Sequence, residues 1–120
     1  SALMNMGAQA VPIQKLAPTV QKKLKPALVI KRGPTPGQVY YLDKSPVRIG
    51  RDEVNDISLM TNGISRRHAL ITVEGDKVIL TDLGSTNGTY VNTKRIQQII
   101  LKPGDEIFMG TAIFTYEMRD

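Results

Sequence analysis

Two polar runs hold most of the side chains able to do chemistry. The first, ISRRHA (Ile64 to Ala69), sets Ser65, Arg66 and Arg67 beside His68, the single histidine of the chain. The second, GSTNGTYVN (Gly84 to Asn92), carries Ser85, Thr86, Asn87 and Thr89. A shorter third run is Gly50-Arg51-Asp52. Three chemistries use such residues. Ser65, His68 and Asp82 have the residue types of a hydrolase triad. SRRH, with QKKLK upstream, could meet the backbone phosphates of a nucleic acid. Guanidinium, hydroxyl and amide donors gathered without a carboxylate base or a metal cluster suit an anion instead. A phosphate group fits best, with three strong acceptor oxygens and about −1.5 to −2 charges at pH 7. Arginine matches it with paired, parallel hydrogen bonds.

The first two chemistries lack support elsewhere in the chain. Ser65 and His68 stand three residues apart at a loop-to-strand junction, and no G-x-S-x-G nucleophile elbow is present. A lone histidine in that position reads as a structural brace. The net charge of +5 is unevenly placed. Residues 1–33 carry six basic residues and no acid, whereas residues 34–120 carry ten basic and eleven acidic ones. The part expected to fold is therefore near neutral, and no aromatic stacking motif accompanies its arginines, so no nucleic-acid partner is expected. The chain has no cysteine, which removes disulfides and thiolate chemistry. No run nears the 18 or so apolar residues of a membrane span, and SALMNMGAQA lacks the cationic start and apolar block of a signal peptide. No membrane partner and a cytoplasmic location are expected.

The elements that must position these residues read as short strands. From residue 27 onward, ALVIK (27–31), QVYYL (38–42), VRIG (47–50), ISLM (57–60), HALITVE (68–74), KVILTDL (77–83), TYVN (89–92), RIQQIIL (95–101), EIFMG (106–110) and AIFTYEM (112–118) alternate with turn signals. Gly75-Asp76 between two of them marks a hairpin. Nothing after residue 26 has sustained helical periodicity. The pattern predicts an all-β sandwich or barrel over residues 27–120, and a chain of 120 residues has room for one core and one domain. The polar runs fall between strands. Loops at one end of a sandwich can converge, which would bring Arg51, Ser65, Arg66, Thr86 and Asn87 to one point.

Those residues carry a family resemblance. Gly50-Arg51, Ser65-x-x-His68, Asn87-Gly88-Thr89 and Val91-Asn92, within VRIGRDEVNDISL, SRRHA, DLGSTNGTYVN and LKPGDEIFMG, resemble in content and order the signature of the forkhead-associated (FHA) domain. The resemblance covers about residues 27–120. It implies a sandwich of about eleven mostly antiparallel strands whose apical loops bind phosphothreonine in partner proteins marked by a Ser/Thr kinase. It implies neither a cofactor nor a metal, and no catalysis. Carried over, Arg51 grips the phosphate, Ser65 bonds a phosphate oxygen and Arg66 adds a donor. Thr86 lines the hollow for the threonine methyl, and Asn87 holds the peptide backbone. Gly50, His68, Gly88 and Asn92 shape the loops. Position 66 varies across the family, so the contact made by Arg66 is open, and Arg67 has no assigned role.

Residues 1–26 read as a flexible arm or linker, broken by Pro12, Pro18 and Pro26. Within it Leu16, Val20 and Leu24 fall at helical spacing. Thr19, in LAPTVQKK, is a candidate phosphosite that could dock into the site of its own chain or a neighbour's. The expectation is thus a phosphothreonine-dependent module of a larger signalling protein. The alternatives are phospho-independent protein binding on the same fold, or capture of its own phosphorylated arm.

Overall fold

The computed structural model describes residues 23–120, so the expectations for Thr19, Leu16 and Val20 lie outside the described residues. Eleven strands form two sheets. The first sheet holds β1 (Lys25–Arg32), β2 (Val39–Tyr41), β7 (Thr89–Val91), β8 (Lys94–Ile96), β10 (Glu106–Met109) and β11 (Ala112–Arg119), in the order β2-β1-β11-β10-β7-β8. The second holds β3 (Val47–Gly50), β4 (Ile57–Ser58), β5 (Ala69–Glu74), β6 (Lys77–Asp82) and β9 (Gln98–Ile100), in the order β4-β3-β5-β6-β9. All pairings are antiparallel except the short β3–β4 pair. The expected all-β sandwich is what forms.

Period-two alternation decides which side chains enter the core. Along β6, Val78, Leu80 and Asp82 are buried and their neighbours are less so. Along β5, Ala69 and Ile71 point inward and Val73 packs on the same cluster. Leu28 and Ile30 of β1, Ile107 and Met109 of β10, and Phe114 of β11 meet them from the other sheet. Fully burying one such side chain contributes about 1.5–3 kcal/mol.

Several strand bounds shift, with the strand expected over 57–60 shortened to Ile57–Ser58, and two of the changes have a clear cause. The first strand starts at Lys25, two residues before Ala27, because Lys25 and Pro26 pair opposite Arg119 and Met118. Pro26 has no N–H to lend, but its carbonyl accepts from Leu42 N–H at 3.0 Å. The single strand expected over residues 95–101 is two strands. Thr89 pairs with Ile96 in one sheet, whereas Leu80 pairs with Ile99 in the other. The chain changes sheet at Gln97, whose carbonyl accepts from Asp82 N–H at 2.9 Å.

Register sets the functional end of the sandwich. Ile49 pairs with Ala69, and Ala69 pairs with Asp82. The C-terminal end of β3, the N-terminal end of β5 and the C-terminal end of β6 therefore lie side by side. The loops 51–56, 59–68 and 83–88 all attach there.

Candidate functional site

The loops are tied together by a small set of buried polar groups. His68 is fully buried. Its Nδ1 accepts from the Ser65 N–H at 3.0 Å, and its Nε2 bonds the Gly88 carbonyl at 2.9 Å. A carbonyl can only accept, so Nε2 carries the proton and Nδ1 does not. The ring is thus held neutral, as one tautomer, between the loop before β5 and the loop before β7. Burial lowers its pKa below the usual histidine value, against the Gly88 bond and the charge of Asp82, which raise it.

Asp82 is the second hub. It is buried, and its carboxylate accepts from Gly84 N–H, Ser85 N–H, the Ser85 hydroxyl and, at 2.7 Å, the Thr89 hydroxyl. Ser85 Oγ in turn accepts from Gly88 N–H at 3.0 Å. Burial raises the Asp82 pKa, but the hydrogen bonds from Ser85, Thr89 and Gly84 outweigh it and leave the group below its ordinary value. Asn55, likewise buried, donates from Nδ2 to the carbonyls of Arg66 at 2.7 Å and Asp52 at 2.8 Å. It joins the third loop to the set. Arg51 N–H donates to the Ser65 carbonyl at 3.0 Å across the same seam.

Two glycines are required by this packing. A Cβ on Gly50 would sit 2.1 Å from the Arg66 carbonyl oxygen. Gly88 has φ +87°, and a Cβ there would lie 2.7 Å from Arg95 Nε.

The result is an open cavity of about 410 Å³ lined by Arg51, Gly63, Ile64, Ser65, Arg66, Thr86 and Asn87. Every residue expected to touch a ligand is there. No acidic side chain lines it. The guanidinium groups of Arg51 and Arg66 are exposed and bond no other described residue. Ser65 Oγ accepts from Thr86 N–H at 3.0 Å, so its own proton is free to donate outward. Asn87 spends one amide N–H on the Gly63 carbonyl at 3.0 Å and keeps its Oδ1 and a second N–H. The cavity presents cationic and neutral donors to one point, which is the inventory an oxyanion needs.

The supporting residues divide. Gly50, His68 and Gly88 lie against the loops that line the cavity. Asn92 braces a different loop. It lies beyond the far end of β7, with φ +48°, and bonds Asp105 Oδ1 at 2.8 Å and Glu106 N–H at 2.9 Å. The triad suggested by residue types is absent. Ser65 Oγ bonds Thr86, while His68 bonds backbone groups and Asp82 bonds Ser85 and Thr89. Asp82, Ser85, Thr89 and Asn55 are supporting residues that sequence reasoning did not assign to the site. The only signal was a polar residue at an inward-facing strand position, as at Asp82. Among the described residues no cluster of His, Cys, Asp and Glu could hold a metal ion, and no helix is long and apolar enough to cross a membrane.

Comparison with known proteins gives a concordant result. The family model described as "FHA domain" matches residues 47–110. The glycogen accumulation regulator GarA of Mycolicibacterium smegmatis is 42% identical over 83 residues, covering 69% of this chain and 52% of GarA. The oxoglutarate dehydrogenase inhibitor of Corynebacterium jeikeium is 43% identical over 83 residues, 69% of this chain and 58% of the inhibitor. The chain thus spans little more than half the length of these curated relatives. A solved structure from a structural and functional analysis of phosphothreonine-dependent FHA domain interactions superimposes with a TM-score of 0.74 at 34% identity, covering 80% of this chain and 98% of that one.

Proposed function

The chain belongs to the FHA domain family, and from that premise we propose how its loop cavity reads a phosphorylated partner. The module binds phosphothreonine-bearing proteins, marked by an upstream Ser/Thr kinase. Arg51 pairs with two phosphate oxygens through its guanidinium fork. Ser65 donates its free proton to a third contact, and Arg66 adds charge from the adjacent wall. Asn87 holds the peptide backbone beside the phosphothreonine with its unspent Oδ1 and N–H. Thr86 lines the hollow that takes the threonine methyl. Residues 25–120, from the first residue of β1 onward, act as the binding unit.

The observation that carries this reading is the Ser65–Thr86 bond. It leaves the serine's own proton unspent in a cavity also lined by two arginines whose guanidinium groups have no partner among the described residues. Turnover is disfavoured because His68, the one imidazole beside this serine, spends both ring nitrogens on backbone groups. The site holds the mark and neither makes nor removes it. Calorimetric titration with matched phosphothreonine and unphosphorylated peptides tests the reading. Binding is expected only of the phosphorylated peptide, and equal binding of both would overturn it.

A further inference from the structure

Arg67 has no part in the phosphate cavity. Consecutive residues leave the loop on opposite sides, so Arg66 lines the cavity and Arg67 lines a separate groove of about 540 Å³ on the second sheet. Arg48 from β3 forms its other cationic edge, and Pro46, Val54, Leu70 and Leu83 supply apolar surface. Val54 is 74% and Leu83 43% exposed, high for side chains whose burial is favourable. Neither guanidinium bonds another described residue. Asp56 lies closest in effect to Arg48, but its carboxylate is already taken by Lys44 Nζ at 2.7 Å and Arg48 N–H at 2.8 Å. No acidic side chain lines the groove.

We propose that this groove is a second docking surface, which takes an acidic, apolar segment of the same phosphoprotein whose phosphothreonine fills the neighbouring cavity. The proposal rests on the phosphothreonine reading of that cavity. Charge complementarity selects the occupant. Two arginines whose guanidinium groups bond no described residue, beside aliphatic surface, favour carboxylates interleaved with Leu or Phe. A nucleic acid would satisfy the arginines but leave Val54, Leu70 and Leu83 without apolar contact. Arg66 and Arg67 are consecutive, so one partner can reach both sides of the loop. Occupying both sites makes the second contact intramolecular and raises its effective concentration.

The test uses the 120-residue chain and three synthetic probes. The first is a phosphothreonine peptide alone. The second is the same peptide joined through Gly-Ser linkers of graded length to an Asp-Leu-Glu-Phe-Glu-Leu-Asp segment. The third carries Lys in place of each acid. At the best linker length the acidic probe is expected to bind about 10-fold more tightly than the peptide alone, and the lysine probe no more tightly. The double variant R48Q/R67Q should erase that gain while leaving the affinity for the short peptide within about two-fold, since neither residue lines the phosphate cavity. No gain at any length, an equal gain with lysine, or a gain that survives R48Q/R67Q would overturn the proposal. If the short peptide itself fails to bind, the phosphothreonine reading falls, and the groove is judged separately with the acidic segment alone. Amide shifts confined to the surroundings of Leu70 and Leu83 then support it. Absent shifts, or larger ones with a duplex oligonucleotide, overturn it.

Discussion

His68 Nε2 donates to the Gly88 carbonyl at 2.9 Å, which fastens the loop before β5 to the loop before β7. With Nδ1 also committed to Ser65 N–H, the ring bears the position of the serine expected to meet the phosphate. Replacing His68 by Ala would leave two backbone groups unpaired in a buried place. The expected loss is about 2–4 kcal/mol of stability, read as a lowered midpoint in thermal or urea unfolding. The same ring makes stability pH-dependent. Its folded pKa lies below 6.5, so the unfolded chain takes up the proton first as pH falls. The contribution is complete above about pH 6.5 and declines below it until the folded value is passed. Unfolding of the free protein between pH 7.5 and 5 checks this, and a flat profile would argue against the neutral, buried ring.

Arg51→Ala removes a forked cation and leaves the fold intact, since the side chain is exposed and unbonded. Phosphopeptide affinity should fall by about 30- to 1000-fold, corresponding to about 2–4 kcal/mol for lost charge-assisted bonds. Ser65→Ala should cost about 10-fold or more, because it removes a donor and also frees Thr86 N–H. Titration calorimetry measures both, and wild-type affinity in Arg51→Ala would refute the assigned phosphate grip.

Phosphothreonine should be preferred over phosphoserine in otherwise identical peptides. One methyl group moved from water into a fitted hollow contributes about 0.8 kcal/mol, or about four-fold in affinity. Fewer rotamers in the β-branched residue add to that. Binding of either should weaken below about pH 6, where the phosphate gains its second proton. Indistinguishable dissociation constants for the two peptides would remove the methyl hollow from the account.

Asp82→Asn keeps the shape of the hub but removes its charge and replaces one accepting oxygen with a donor. The loop 83–88 should loosen, at a cost of about 2–3 kcal/mol from unpaired hydroxyl and N–H groups. Amide hydrogen exchange at Gly84, Ser85 and Gly88 reports it directly. The folded pKa of Asp82 is depressed, so its contribution is present above about pH 4 and is lost as pH falls through the folded value. Unchanged exchange in the variant would show that the loop does not depend on this carboxylate.

Gly50→Ala should be among the most damaging single-methyl changes, because the new Cβ would overlap the Arg66 carbonyl and Asn55 Nδ2. Gly50 φ is not positive, so the expected loss comes from displaced backbone and not from dihedral strain. A loss above about 2 kcal/mol in chemical unfolding is expected, together with weaker phosphopeptide binding from the shifted Arg66 loop.

Much of the fold was legible because it rests on period-two alternation and on turn chemistry, both local. The hairpin at Gly75-Asp76, the bounds of β3 and the start of β6 follow from residues a few positions apart. The break at Gln97 was not legible. RIQQIIL is uniformly suited to a strand, and nothing local states that its two halves pair with different sheets. Asn92 shows the same limit from the other side. Its place in a motif associated it with the site, whereas its bonds to Asp105 and Glu106 tie it to a separate loop.

The sequence by itself determined which chemistry was available. An uncommon concentration of Arg, Ser, Thr and Asn between strands, with no metal-ligand cluster and no nucleophile elbow, left phosphate recognition as the natural use. What the residues could not state individually was their roles. Ser65, His68 and Asp82 have the types of a triad, and only packing shows that each hydrogen-bonds elsewhere. Arg66 and Arg67 are chemically identical, and only the path of the loop sends one to the phosphate cavity and the other to the groove beyond it. Side-chain type is a local property, but the bonds that fix the roles of Ser65 and His68 include ones to Thr86 and Gly88, 21 and 20 residues away, which the sheet register brings alongside.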